Sequence, residues 1–313
     1  MKKNIIVMGA NPAWQKTLLF AGLHRNKVNR AHRMETYPAG KGVNFCRAAA
    51  CFGKAETMLL QFAGGANGSR LCNALDTEGI RHETVKTEAE TRCCITCLDS
   101  TDGGMTELIE PSGRVTTDEA EEFLARMKTH IGRASLFAIT GSLPDGTDLS
   151  LCKKAAEIAV SAGVPVLADA VKGIAPVLEL SGKVYLKVNR EEFFALTGCS
   201  EIRAAHHCAA NRWHNASFAV TDGAGNATFS DGSRLLCYAL PEITAVNPLG
   251  AGDTASAVFA SALLAGQAPA EAFRNALAAA SANCLSERAG EFRMEDFNTL
   301  LPQIQITEQH LND

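Results

Sequence analysis

Near its C-terminal end the chain reads Asn247-Pro248-Leu249-Gly250-Ala251-Gly252-Asp253, and these residue types at this spacing could hold and move a phosphoryl group. The run follows a strand-like stretch, and the apolar, alanine-rich segment from Thr254 to Ala265 reads as a buried helix. Gly250, Ala251 and Gly252 would then form its first turn. Small residues there leave the peptide N–H groups uncovered, and the helix N-terminus adds about half a positive charge, so that an oxyanion is cradled. Asp253 is the odd member, because a carboxylate repels a resting phosphate. Its presence makes chemical sense if it accepts the proton of a hydroxyl that attacks that phosphate. An ordinary strand-to-helix turn, with Asp253 as N-terminal cap, explains the same few residues.

Two further glycine-rich turns invite comparison. Pro38-Ala39-Gly40-Lys41-Gly42-Val43-Asn44 precedes the alanine-rich run Phe45 to Ala50, which reads as a helix, and a lysine set among glycines at a helix start is a second anion site. Gly64-Gly65-Ala66-Asn67-Gly68 has half of a dinucleotide fingerprint. The full GxGxxG is not met and no strand with an acidic end follows at the usual distance, so a nicotinamide enzyme is disfavoured. Cys94-Ile95-Thr96-Cys97 and His206-His207-Cys208 offer metal-ligand types, but no second CxxC completes a four-ligand zinc site. Packing of the cysteines in a strand and histidines at the surface are expected instead.

Composition narrows the class. Within 313 residues of net charge −4 and 46% hydrophobic content there is ample material for a large core and no excess of basic charge to attract a nucleic acid. The longest early apolar run, Ile5 to Met8, is too short for a signal or a membrane span, so a soluble cytoplasmic protein is expected. Eleven scattered cysteines, odd in number, are expected to be reduced.

The elements that must position these turns follow from the apolar pattern. Ile5–Met8 predicts a first buried strand that leads to the turn Asn11-Pro12-Ala13. A basic, weakly patterned stretch to Tyr37 leaves the main layer, and Thr57–Phe62 predicts another strand before an amphipathic helix to Glu78. Arg92–Leu98 and Met105–Ile109 predict a hairpin across Asp102-Gly103-Gly104. From Thr116, which with Glu119 makes a capping box, helices alternate with the strands Leu136–Thr140, Val164–Ala168, Val184–Val188 and Phe218–Thr221. The alternation predicts an α/β fold: a doubly wound, mainly parallel sheet flanked by helices, in one domain over 1–313, with a small β lid from about 12–37 and 91–109. Ligands collect at the carboxyl ends of such strands, where Asn11, Ser142, Asp169, Asn189, Thr221 and Asp253 are expected to cluster.

Six pieces in order, NPA at 11–13, AGKGVN at 39–44, TGSLPDG at 140–146, KVNREE at 187–192, VTDG at 220–223 and NPLGAGD at 247–253, resemble the signatures of PfkB-type, ribokinase-like carbohydrate kinases. The resemblance runs over essentially the whole chain. Val28-Asn29-Arg30, Thr91-Arg92 and Asn247-Pro248 look most like the branch of 1-phosphofructokinases and tagatose-6-phosphate kinases. It implies that Asp253 is the base and that the N–H groups of Gly250, Ala251 and Gly252 stabilise the migrating phosphoryl group. It further implies that Gln15, Arg30, Gly40, Lys41, Asn44, Arg92 and Ser142 bind a sugar phosphate, and that Asn189, Glu192, Thr221, Gly223 and Asn283 serve ATP. Mg²⁺ would be organised by Asn189 and Glu192 through water and phosphates, with no direct protein ligand. The partners implied are a small sugar phosphate and ATP, with no nucleic acid or membrane, and a homodimer through the lid is compatible with it.

Departures from the family pattern concern the sugar. Gln15 stands where an aspartate binds sugar hydroxyls, Ala39 replaces the first glycine of GGKGxN, Asn226 replaces a glycine after the nucleotide turn, and Lys187-Val188-Asn189 replaces KPN. A sugar-phosphate-binding regulator with weak or no catalysis, or a kinase of an unphosphorylated sugar or nucleoside, are the alternatives that the same fold would carry.

Overall fold

The computed structural model of the chain describes residues 3–170, 172–232 and 234–311, so the outermost residues of the expected 1–313 domain lie outside it. β1 (Lys3–Met8) buries its last four side chains completely. β2 (Ala13–Phe20) and β3 (Arg33–Ala39) form the excursion. α1 (Lys41–Phe52), β4 (Ala55–Gly64), α2 (Gly65–Thr77) and β5 (His82–Thr87) return to the main layer before β6 (Cys93–Asp99) and β7 (Met105–Ile109) leave it again. The alternating part comprises α3 (Thr117–Ile131), β8 (Leu136–Thr140), α4 (Ser150–Ser161), β9 (Val166–Asp169), α5 (Ala175–Leu178), β10 (Val184–Asn189), α6 (Arg190–Thr197), α7 (Ile202–Arg212) and β11 (Ala216–Asp222). β12 (Asn226–Ser230), β13 (Arg234–Ala239), α8 (Ala251–Leu264), α9 (Pro269–Asn283), α10 (Met294–Leu300) and β14 (Gln305–His310) complete the chain.

Among the described residues the strands form two sheets, one of ten strands in the order β14-β13-β12-β11-β10-β9-β8-β1-β4-β5 and one of four in the order β3-β2-β6-β7. Pairing from β11 through to β5 is parallel throughout, and β12, β13 and β14 add an antiparallel edge. Helices cover both faces. α1, α2, α8, α9 and α10 bury their apolar residues against one side of the sheet, α3 to α7 against the other. This doubly wound arrangement is the expected one, and the capping box of Thr116 and Glu119 starts α3 with both of its hydrogen bonds made.

The differences lie at the edges. β5 and β14 carry mostly polar residues (HETVKT and QITEQH) and give no apolar run to read; an edge strand needs only part of its surface to be apolar. No strand leads directly into the Asn247–Asp253 run: β13 ends at Ala239 and the backbone from 240 to 250 is irregular. His206 is not a surface histidine. It is a fully buried residue of α7, with Nδ1 2.7 Å from Ser230 Oγ and Nε2 2.8 Å from Thr228 Oγ1, and burial pushes its pKa down to about 3. Cys94 and Cys97 do lie in a strand, three residues apart on β6, so their side chains leave opposite faces of the small sheet.

Candidate active site

Asp253 stands at the third position of α8, whose N-cap Gly250 has a left-handed backbone, φ 80°. Glycine is required there twice over, because a Cβ would also lie 2.7 Å from the amide nitrogen of Gly290. Gly290 in turn has φ 79°, and a Cβ on it would lie 2.6 Å from the carbonyl oxygen of Asn44. The loop through Gly290 is thus pinched between the start of α8 and α1. That contact sets how closely the two helices approach, and Asn44 Nδ2 donates to Asp253 Oδ2 at 2.8 Å. Among the predicted cradle groups, the Ala251 N–H points back to the Pro248 carbonyl at a long 3.4 Å, and the turn before it is held by Asn247, whose Oδ1 accepts from Leu249 N at 3.0 Å.

Asp253 is only 8% exposed. Burial, with the neighbouring Asp169 carboxylate second, raises its pKa to about 6, while Lys41, the Asn44 amide and Lys187 act in the opposite sense. A group poised there is mostly ionised at neutral pH and still basic enough to take a proton.

At the carboxyl ends of β1, β8 and β9 a cavity of about 310 Å³ is lined by Asn11, Gly40, Lys41, Arg92, Gly141, Ser142, Asp169 and Glu192, among others. Its floor is an ionic cluster that the sequence left unassigned. Asp169 is buried, Lys41 Nζ and Lys187 Nζ each stand 3.2 Å from one of its oxygens, and Ser256 Oγ donates to it at 2.6 Å. Burial alone would raise the Asp169 pKa, but the two ammonium groups and the serine hydroxyl hold it below its usual value. Lys41, drawn chiefly by Asp169 and further by Asp253, has its pKa raised and stays charged. Arg92 reaches the rim from the root of β6, donating to the Asn11 carbonyl at 3.2 Å, and Asn11 Nδ2 donates to Ser142 Oγ at 3.1 Å. Lys187 belongs to the stretch that departs from the family's KPN, and its partner is set by β9 and β10 lying side by side.

A larger cavity of about 690 Å³ opens on the other side of the α8 start, lined by Asn189, Thr221, Gly223, Pro248, Ala251, Gly252, Ala280, Ser281 and Cys284, among others. Lys187 spans the wall between the two, since a Cβ on Gly252 would stand 3.0 Å from its Nζ. Asn189 and Glu192 form a reciprocal capping box on α6, at 2.8 and 2.9 Å. Asn189 lines the larger cavity and Glu192 the smaller, so the cap also sets two polar groups, one facing each cavity.

Three residues expected at the site stand outside the linings of the two cavities. Asn283 does not face the larger cavity: it is fully buried, its amide donating to the carbonyls of Glu291 and Arg288 at 2.9 and 3.3 Å. Helical periodicity puts Leu277, Ala280, Ser281 and Cys284 on the stripe that lines the cavity and turns Asn283 away from it. Arg30 lies exposed on the connection between β2 and β3 and does not line the smaller cavity. Gln15 is buried in the small sheet, donating to Thr96 Oγ1 at 2.8 Å and to the Lys16 carbonyl at 3.2 Å, and it too stands outside the cavity lining. The glycine turn at 64–68 is occupied from within: the Glu90 carboxylate accepts from Ala66 N and Asn67 N at 3.1 and 2.6 Å at the start of α2.

A doubly wound sheet with two cavities meeting at the start of a buried helix suits the transfer of a group from one bound molecule to another. Residues 3–296 match the model of the pfkB family carbohydrate kinases, and the chain belongs to that family. It is a carbohydrate kinase. Similar solved structures include phosphofructokinase-2 from Escherichia coli in complex with fructose-6-phosphate, at 22% identity over 97% of this chain and 99% of that one, TM-score 0.87. Another is a protein from Thermotoga maritima described as a possible 1-phosphofructokinase, at 20% identity over 98% and 99%, TM-score 0.87. At these identities the likeness establishes the shared fold.

Proposed function

We propose that the chain transfers the γ-phosphoryl group of ATP to a hydroxyl of a phosphorylated ketohexose, fructose 1-phosphate or tagatose 6-phosphate, giving a bisphosphate. The observation that carries this reading is the position of Asp253: a buried carboxylate with a pKa near 6, between a cavity bearing Lys41 and Arg92 and a cavity bearing Thr221 and Gly223. The sugar phosphate lies in the smaller cavity, its phosphate held by Arg92, with Lys41, Gly40, Asn44 and Ser142 around the sugar. ATP lies in the larger cavity against Asn189, Thr221, Gly223 and the stripe of α9. Asp253 takes the hydroxyl proton, while the peptide groups of Gly250 and Gly252 and the Lys41 ammonium face the charge of the phosphoryl group in flight.

Mg²⁺ fits the donors present. Glu192 uses Oε2 for its helix cap, leaving a second carboxylate oxygen on a residue that lines the cavity, and Asn189 is close by in the same cap. That is a set for orienting the water shell of a phosphate-bound Mg²⁺. When bound, the ion neutralises charge on the nucleotide phosphates.

A sugar-phosphate-binding regulator on the same fold is favoured by one observation, the amide of Gln15 engaged with Thr96 instead of being directed to a sugar hydroxyl. The test is ADP release measured with fructose 1-phosphate, fructose 6-phosphate, tagatose 6-phosphate and the free sugars, on wild type and Gln15→Asp. Turnover with a ketohexose phosphate at least about tenfold above every free sugar is expected, because a desolvated charge pair contributes well over 1 kcal/mol. Equal turnover with and without the sugar's phosphate contradicts the assignment of Arg92, and no turnover with any acceptor selects the regulator.

The small sheet would cover the sugar as a lid; sugar-independent ATP hydrolysis that is unchanged when β7 is deleted opposes that role. One face of it aligns Leu18, Met34, Ile95 and Leu108, with Met34 60% and Leu108 54% exposed. We assign this strip to the contact with a second copy of the chain. The protein is expected to run as a dimer by light scattering, and Met34→Glu with Leu108→Glu as a monomer; a monomeric wild type refutes the contact.

A further inference from the structure

Arg47 has no place in the chemistry above, yet it is one of the most heavily bonded side chains in the molecule. It is 5% exposed and lies on α1 one turn beyond Asn44. Its Nε donates to Glu78 Oε2 at 2.7 Å and its Nη2 to Glu78 Oε1 at 3.0 Å. The same Nη2 donates to the Pro38 carbonyl of β3 at 2.6 Å, and the guanidinium lies 5.9 Å from the centre of the Tyr37 ring. Arg288, from the loop pinched between α1 and α8, also lies over that ring at 5.3 Å and also pairs with Glu78. The remaining nitrogen, Nη1, donates to Asn44 Oδ1 at 3.4 Å.

This last contact gives the cluster a chemical consequence. An asparagine amide presents oxygen and NH₂ in nearly the same shape, so its orientation is decided by whichever neighbour can only donate or only accept. Arg47 can only donate and Asp253, when ionised, can only accept. With the guanidinium on its Oδ1, Asn44 keeps its NH₂ on Asp253 whether the carboxyl is ionised or protonated; without it, the amide is free to turn and accept from protonated Asp253, which favours the acid form. We propose that Arg47 is a positioning residue for Asp253, fixing the donor orientation of Asn44 and tying that orientation to the end of β3, so that the seat of the small sheet and the state of the base are linked. Other charges facing Asp253 are Asp169 from β9, Lys187 from β10 and Lys41 from α1, with Glu192 of α6 acting on Lys41. None of them touches Arg47, whose charged neighbours are Glu78 and Arg288, so the route through Asn44 can be read separately.

This inference uses the base role of Asp253 from the proposed function, and its test includes a measurement that does not require turnover. The carboxyl ¹³C signal of Asp253, assigned by its loss in Asp253→Asn, is titrated in wild type, Arg47→Met and Arg47→Lys. In Arg47→Met the midpoint is expected to rise by about one pH unit, as for loss of one oriented hydrogen bond to a carboxylate, with the acid limb of kcat rising equally and the KM for ATP within about twofold. Arg47→Lys keeps the charge but cannot reach Glu78, Pro38 and Asn44 together, so a smaller rise is expected. This variant carries the test if the methionine variant does not fold. A midpoint unmoved in a folded Arg47 variant overturns the proposal. If the midpoint moves while the wild-type protein turns over no sugar, the positioning stands and the kinase substrate reading alone falls.

Discussion

Asp253→Asn is expected to lower turnover by about a hundredfold or more, while ATP and the sugar phosphate still bind, because the amide keeps the shape of the side chain and loses only its basicity. The same variant is expected to be the more stable protein at pH 8. The sign follows from the raised pKa: the folded state holds the proton up to about 6, against 3.8 for the unfolded chain. Below 3.8 both states are protonated and the group is neutral toward stability. As pH rises through the interval to about 6, the unfolded chain ionises first and the fold loses up to about 3 kcal/mol, a loss complete above the folded value. Removing the charge returns that energy. Thermal melts should therefore place the variant several degrees above wild type at pH 8 and close to it at pH 4. A variant that is no more stable at pH 8, or one that turns over normally, contradicts the picture of a buried and destabilised base.

Asp169→Asn is expected to act in the opposite sense and by more. Its carboxylate is the shared partner of Lys41 and Lys187, and the Lys187 side chain is only 6% exposed, so the amide leaves a buried ammonium without its ion-pair partner. Losing one member of such a buried cluster costs about 3–5 kcal/mol. Asp169 itself is held below the usual carboxylate pKa, which makes its contribution to stability fully present above about pH 4 and lost as pH falls through its folded value. Urea unfolding of wild type and variant should differ widely at pH 7.5 and converge in strong acid. Activity should fall as well, because Lys41 is kept charged and in place chiefly by Asp169. A difference below about 1 kcal/mol at pH 7.5, the usual worth of an exposed pair, would mean that the cluster is solvated and does not anchor the site.

How much of this was legible beforehand depended on whether the relevant interaction is local in sequence. Asp253 with its glycines, Lys41 with its own, the capping box of Thr116 and Glu119, and the alternation of helix and strand are all short-range patterns fixed by backbone conformation and apolar period, and the structure places them as read. Asn283 and Gln15 were assigned by position in a motif, and such an assignment carries no information about which way a side chain faces. Asn283 is turned from the cavity by the period of α9, and Gln15 is taken up by Thr96, a residue from the neighbouring strand of the small sheet.

Sequence alone therefore determined the class of the molecule: a doubly wound α/β chain with a glycine-rich helix start and one carboxylate beside it, since helix caps, glycine turns and the two periodicities are properties of neighbouring residues. Tertiary structure alone decided what that carboxylate experiences. Asp169 lies 84 positions before it and Asn44 209 positions before it, and only the closing of β9, α1 and α8 on one another brings two lysines, a second carboxylate and an oriented amide within reach. Electrostatic energies in a buried site depend on distances of a few ångströms, which the order of residues along a chain does not encode.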